Sequence, residues 1–196
     1  ARNPELVINF YNERRKQLLD VVPNAGHLGV ADLERDFNVT VVTQNVDNLH
    51  ERAGSTHVIH LHGELTKVCS SRDPYNPHFV KELAPEEYEV KLGDKAGDGT
   101  QLRPFIVWFG ESVPEIETAI RYVEQADIFV IIGTSLNVYP AAGLLNYVPR
   151  AAEVYLIDPK PVDTHVMRPI HVIQKGASEG VKELKALLTV TQPPLP

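Results

Sequence analysis

Sulfur and indole side chains are almost missing from this chain, which has one cysteine, one methionine and one tryptophan in 196 residues. The lone Cys69 cannot close an intramolecular disulfide, and that usage fits a reducing cytoplasm. No apolar run approaches the roughly 20 residues that cross a bilayer, and no charged-then-apolar leader opens the chain, so no membrane partner is expected. Basic residues are also in deficit. With 19 Lys and Arg against 26 Asp and Glu, the formal net charge is −7. A surface of that sign repels phosphate backbones, so no nucleic-acid partner is expected either. Internal repeats are lacking too. What is present suits one domain, or a large domain with a small insertion, and can bury a core without disulfides or metal.

Two kinds of segment alternate along that length. Val39-Thr40-Val41-Val42-Thr43, Asp127-Ile128-Phe129-Val130-Ile131-Ile132 and Glu153-Val154-Tyr155-Leu156-Ile157 are short and β-branched. Runs this apolar on both faces predict strands of a buried parallel sheet. Helical stretches are expected at 4–21, 25–36, 114–125, 141–147 and 178–188. The alternation implies an α/β, Rossmann-like doubly wound fold with ligands at the carboxyl ends of the strands. Residues 66–103 break the rhythm, being polar, proline-spotted and glycine-rich near Gly93 to Gly99. They predict a small inserted module with a mobile loop. The expected organisation is therefore 1–65 and 104–190 as the Rossmann-like domain, 66–103 as the module and 191–196 as a tail.

Four constellations can carry chemistry. The first, Thr43-Gln44-Asn45-Val46-Asp47-Asn48-Leu49-His50, follows a predicted strand. Its amides can pair with a carboxamide, and Asp47 can receive a donor or balance positive charge. The plainer reading is a polar loop with Asp47 as a helix cap. The second is His57-Val58-Ile59-His60-Leu61-His62-Gly63-Glu64, where His60 and His62 alternate with apolar residues and share a strand face. The pair can ligate a metal or supply a general base, or be one core and one edge histidine. No supporting carboxylate or cysteine spacing accompanies it, and His62, at the strand's end, is where a base would sit.

The third is Ile131-Ile132-Gly133-Thr134-Ser135, in which Gly133 lets backbone approach a ligand and the two hydroxyls can donate to ribose or phosphate oxygens. Asp158, ending the next strand, can accept from ribose hydroxyls or cap a turn before Pro159. The fourth is Phe10-Tyr11-Asn12-Glu13-Arg14-Arg15-Lys16. Tyr11 and Arg14 share a helix face, and a phenol beside a guanidinium makes a carboxylate receptor; the alternative is a solvated basic face.

Taken together and in order, Thr43 through Gly54, Leu61-His62-Gly63, Val107-Trp108-Phe109-Gly110-Glu111 and Gly133-Thr134-Ser135 resemble the sirtuin family, over residues 3–188. Tyr11 and Arg14 stand where its acidic-acyl branch, the desuccinylases and demalonylases, carries a Tyr-x-x-Arg pair, and the sequence is most similar to bacterial members of that branch. The resemblance implies an NAD-dependent protein-lysine deacylase that releases nicotinamide, O-acyl-ADP-ribose and free lysine. It implies that His62, Asn45 and Asp47 are catalytic. It further implies that Gln44, Asn45, Val46, Asp47, Gly133, Thr134, Ser135, Asp158 and Ala177 bind NAD. Tyr11, Arg14, Val107, Trp108, Phe109 and Gly110 would then bind an acyl-lysine peptide, the last four as an added strand.

The chain departs from that family in three places. The family's structural zinc takes two cysteine pairs, whereas the module has only Cys69, with His78 as a possible second ligand, so no zinc is expected. The family's first strand and Gly-Ala-Gly-x-Ser diphosphate loop would precede Ala1-Arg2-Asn3-Pro4. The expectation is that an upstream segment supplies them, the alternative being a non-catalytic NAD or ADP-ribose binding relative. Asp158 replaces the usual Asn and costs a donor.

Overall fold

The computed structural model describes residues 3–134, 141–161 and 168–191. It divides into two compact units, one of Ala1–Val22, Thr43–Asn48 and His60–Val113, the other of Pro23–Val42, Leu49–Ile59 and Pro114–Pro196. The first gathers the predicted module together with the first helix and the loop after Val42. Of the predicted tail, Thr191 ends a helix and 192–196 lie outside the described residues; among the described residues no helix is long and apolar enough to cross a membrane.

In the first unit, helix α1 (Pro4–Asp20) begins where the Asn3 side chain accepts from Leu6 N–H at 3.1 Å, with Pro4 at a position whose N–H the helix does not need. It stops at the extended Val21. Its inner face brings Ile8 against Val68 and Val90. Asn12 clamps the same segment, donating to Val90 O at 2.8 Å and accepting from Val90 N–H at 3.0 Å, so one amide does the work of a strand partner.

An antiparallel sheet fills the rest of that unit. Strands β3 (Gly63–Ser70), β4 (Lys81–Glu82) and β5 (Leu102–Ile106) pair in the order β4-β3-β5, which leaves β5 at an edge. The β3–β5 register shifts between Glu64 and Val68, an irregularity that breaks alternation along β3. Below it, Ser70 Oγ donates to Asp98 Oδ2 at 2.7 Å and accepts from the N–H groups of Arg72 and Asp73 at 3.0 Å. Thr100 Oγ1 donates to Asp98 Oδ1 at 2.7 Å, and these bonds hold the Asp98 carboxyl at about 2. Burial pushes the nearby Cys69 thiol up to about 11, which makes it a poor source of thiolate. Among the described residues no group of three or more His, Cys, Asp or Glu side chains could hold a metal ion.

The second unit is the doubly wound part. Helix α2 (Ala25–Asp32) is capped by Asn24, whose side chain accepts from the N–H groups of Gly26 and His27. β1 (Val41–Thr43) and β2 (Val58–His60) flank α3 (Leu49–Ala53). Their bonds, Val41 N–H to His57 O and Leu61 N–H to Thr43 O, climb together along both strands, so the pair runs parallel. After α4 (Ile116–Val123) come β6 (Ile128–Ile132), α5 (Ala141–Leu144), β7 (Glu153–Ile157), β8 (His171–Ile173) and α6 (Ala177–Thr191). β6-β7-β8 form a parallel sheet. Its core joins Tyr155, Ile157 and Ile173 to Val181, Leu184 and Leu188 of α6. Gly180 is the point of closest approach: a Cβ there would lie 2.2 Å from Ile157 Cγ2, so only glycine lets α6 settle on β7.

Candidate active site

The loop after β1 is built by Thr43. Its Oγ1 accepts from Asn45 N–H at 3.0 Å, turning the chain as the strand ends, and its carbonyl accepts from Leu61 N–H at 2.9 Å. Val46 O then accepts from Leu65 N–H at 2.7 Å, which fastens the loop to β3. Asn45 is exposed, and Gln44, Val46, Asp47 and Asn48 are half-buried. Two acceptors in this loop, Gln44 Oε1 and Asn48 Oδ1, are buried without a donor. Leaving such an oxygen dry costs about 1–3 kcal/mol, and a ligand amide or hydroxyl offers the missing donor.

Both histidines of the second constellation turn to that loop, although the strand carrying them ends at His60 and His62 sits in the turn beyond. His60 Nδ1 meets Asn45 O and His62 Nδ1 meets Gln44 O, each at 3.2 Å. A carbonyl can only accept, so each Nδ1 carries a proton, and in the neutral form of His62 the lone pair is on Nε2. That tautomer is the one a general base needs. His60 is 8% exposed and belongs to the core, while His62 is only half-buried. Gly63 makes the next step possible. Its φ is 84°, and a Cβ there would fall 2.1 Å from Phe105 O. The close approach puts His62 beside the strip after β5, where Val107 N–H donates to His62 O at 2.9 Å.

That strip continues an edge strand. Trp108 and Val107 are half-buried, Phe109 is fully exposed and Gly110 turns the chain at φ 88°. Trp108 Nε1 donates to Tyr11 Oη at 3.1 Å, which brings two of the predicted substrate residues together. Arg14 is exposed, its guanidinium 5.2 Å from the Phe10 ring centroid and 3.3 Å from Gln17 Oε1. The buried arginine of this helix is the next one. Arg15 is 3% exposed, its Nε and Nη1 have no partner, and burial lowers its pKa to about 10.

The other predicted residues belong to the second unit, at the carboxyl ends of its parallel strands. Gly133 and Thr134 follow β6, with Gly133 N–H donating to Ile157 O at 2.9 Å. Asp158 follows β7; its Oδ1 accepts from Lys160 N–H at 2.8 Å, so one oxygen caps the turn. Ala177 starts α6. Ser135 lies outside the described residues. Asn48, Glu111 and Arg15 stood inside motifs read from the sequence without a role of their own, and Arg103 was given none. Adjacency to Asp47 is a signal for Asn48, but nothing in local spacing marks the others.

Residues 1–140 match the model of the Sir2 family. The chain is 83% identical over 187 residues to the NAD-dependent protein deacylase of Bacteroides thetaiotaomicron, covering 95% of this chain and 80% of that protein. It is 47% identical over 183 residues to the NAD-dependent protein deacylase of Helicobacter pylori, covering 93% and 77%. Among solved structures, a Sir2 homolog–NAD complex superposes with a TM-score of 0.80 at 36% identity, covering 97% of this chain and 74% of the other.

Proposed function

The chain belongs to the Sir2 family, and from that footing we propose that the Thr43–Asn48 loop and His62 carry its chemistry while Tyr11 and Arg14 select its acyl group. It is an NAD-dependent protein-lysine deacylase, and the non-catalytic reading is not the one its relatives favour. The observation that carries the assignment is the bond from His62 Nδ1 to Gln44 O, because it selects the tautomer whose lone pair, in the neutral imidazole, is on Nε2.

NAD, when bound, would supply an electrophilic ribose carbon with nicotinamide as its leaving group. The two donorless acceptors, Gln44 Oε1 and Asn48 Oδ1, fit a partner rich in amide and hydroxyl hydrogens. Asn45 and Asp47 hold the nicotinamide end, Asp47 with a charge that opposes the one developing on the sugar. His62 Nε2 would act as the base towards a ribose hydroxyl of bound NAD. Gly133, Thr134 and Ser135 are further NAD-binding residues, as are Asp158 and Ala177. Val107, Trp108, Phe109 and Gly110 extend an edge strand, where an added peptide strand is held by main-chain bonds that tolerate varied sequences.

The acyl group is acidic, of the succinyl or malonyl kind. Tyr11 offers a neutral donor and Arg14, one turn further on, a charge-assisted one. The cytoplasmic setting rests on the lone Cys69, and the expectation of no nucleic-acid partner on the acidic surface. The test is nicotinamide release on succinyl-lysine and acetyl-lysine peptides. It should need both NAD and peptide, and fall about a hundredfold in His62→Ala, the scale of a lost general base. Arg14→Met should lower the succinyl-to-acetyl ratio of kcat/KM roughly tenfold. Near-normal release by His62→Ala removes that residue from its role, and an unmoved ratio makes this a plain deacetylase.

A further inference from the structure

Tyr11 is held by a chain of contacts that begins at a salt bridge. Glu111 takes Arg103 in a two-pronged grip, with Arg103 Nη1 donating to Oε1 at 2.7 Å and Nη2 to Oε2 at 3.0 Å. The same carboxylate accepts from Trp108 N–H at 2.9 Å, and Arg103 Nη2 also donates to Ile106 O at 2.7 Å. These bonds, that with Arg103 first, hold Glu111 below the usual carboxylate range. The guanidinium, with its side chain 10% exposed, lies flat enough to put its carbon 3.5 Å from the Trp108 ring centroid. The indole is thus pinned from its face by a plate that is itself bolted down. Its single polar atom, Nε1, points at Tyr11 Oη.

The direction of that last bond matters. An indole nitrogen can only donate, so Tyr11 Oη is the acceptor and its own hydrogen stays available. A phenol free to choose would offer its oxygen or its hydrogen to whatever came near. One already accepting from an indole is biased to donate.

We propose that Arg103, through Trp108, is a positioning residue that sets Tyr11 as a donor and thereby tunes the enzyme towards carboxylate-bearing acyl groups. The inference rests on the acidic-acyl reading above and adds to it the reason for the phenol's polarity. An acyl carboxylate gains from a committed donor, whereas an acetyl methyl has nothing to accept with. Lysine at position 103 would keep the charge towards Glu111 but lose the plate and the fork.

The experiment measures the succinyl-to-acetyl ratio of kcat/KM in the full chain for wild type, Tyr11→Phe, Arg103→Lys and Trp108→Phe. The last two are also combined with Tyr11→Phe. Trp108 is the only tryptophan, so intrinsic fluorescence reports its surroundings directly. Arg103→Lys should lower the ratio about fivefold, a part of what a bond to a charged group is worth, and shift the indole emission. Trp108→Phe should lower the ratio likewise with Arg103 and Glu111 in place, and it carries the test alone if Arg103→Lys does not fold. Neither should lower the ratio further once Tyr11 is Phe, since both act through its hydroxyl. If Tyr11→Phe lowers the ratio but Arg103→Lys or Trp108→Phe does not, or if the effects add, the positioning role is wrong and the acidic-acyl reading stands. If Tyr11→Phe itself leaves the ratio unmoved, the reading falls and the inference with it.

Discussion

The parallel strands β6–β8 and the antiparallel strands β3–β5 are held by different forces. Beneath α6, apolar side chains meet apolar side chains, with Ile157, Val181 and Leu184 almost wholly removed from water. Around β3 apolar burial is present too, with Ile8, Val68 and Val90 forming one cluster and Leu65 also buried, but side-chain hydrogen bonds add to the order there. Ser70, Asp98 and Thr100 tie one end, while Arg103, Glu111 and Trp108 tie the other. Apolar burial is non-directional and tolerates repacking, whereas a buried polar network fails at the first missing partner. The unit that carries His62 and the peptide strip is therefore the one whose geometry depends on individual atoms.

The contrast can be broken at either end. Leu184→Ala should be the costliest change, destabilising the sheet by about 3 kcal/mol through lost transfer energy and a cavity. Urea unfolding measures it, and a cost below about 1 kcal/mol would mean the α6 interface is not the core it looks like. Ser70→Ala should cost less, about 1–2 kcal/mol, because Arg72 N–H, Asp73 N–H and Asp98 lose a common partner but remain near water. Its amide exchange should quicken around Arg72 and Asp73 while β7 stays protected; uniform quickening would mean that the two regions unfold as one.

Acid should have the smallest effect within the ordinary range. Asp98 has its pKa lowered from 3.8 to about 2, so its contribution is complete above the ordinary value and disappears as pH falls through about 2. Glu111 is lowered too and follows the same sign. NMR should find the Thr100 amide still protected at about pH 3 and released near pH 2, with Leu156 and Ile157 unchanged. Release of Thr100 already at pH 4 would show that the hydroxyls do not hold the carboxylate.

The same contrast separates what could be read from the sequence from what could not. β6 and β7 lie where uninterrupted β-branched runs foretell them, and α1 and α2 start at asparagines that cap them. β8 was invisible: three residues with an exposed His171 and Val172 give neither length nor alternation. β3 was not read: the strand expected over the histidines stops where β3 begins, most of β3 falls in the stretch expected to be a polar module, and the register shift between Glu64 and Val68 spoils the period of two. In the site, the sequence pointed to His62 and the loop after β1, but not to the carbonyl that sets the tautomer. Backbone carbonyls leave no mark in residue type. Arg103 and Glu111 are eight residues apart, a distance that neither helix nor strand periodicity turns into a contact. Only the turn between them does.

The bond from Val107 N–H to His62 O also bears on how this enzyme can vary. Upstream of it, strand pairing ties the strip to the base residue by residue, so one added or deleted amino acid would shift the ledge by a whole peptide unit. Downstream, Phe109 stands in solvent and nothing lies within 4 Å of where a side chain on Gly110 would be. Length changes are barred before Val107, and the turn from Trp108 to Glu111 is closed by Glu111 N–H donating to Trp108 O at 2.9 Å, so only the side chains at Phe109 and Gly110 are open to change. Lineages of this protein that bind peptides of different shape should differ in residue type there, and keep their count before Val107.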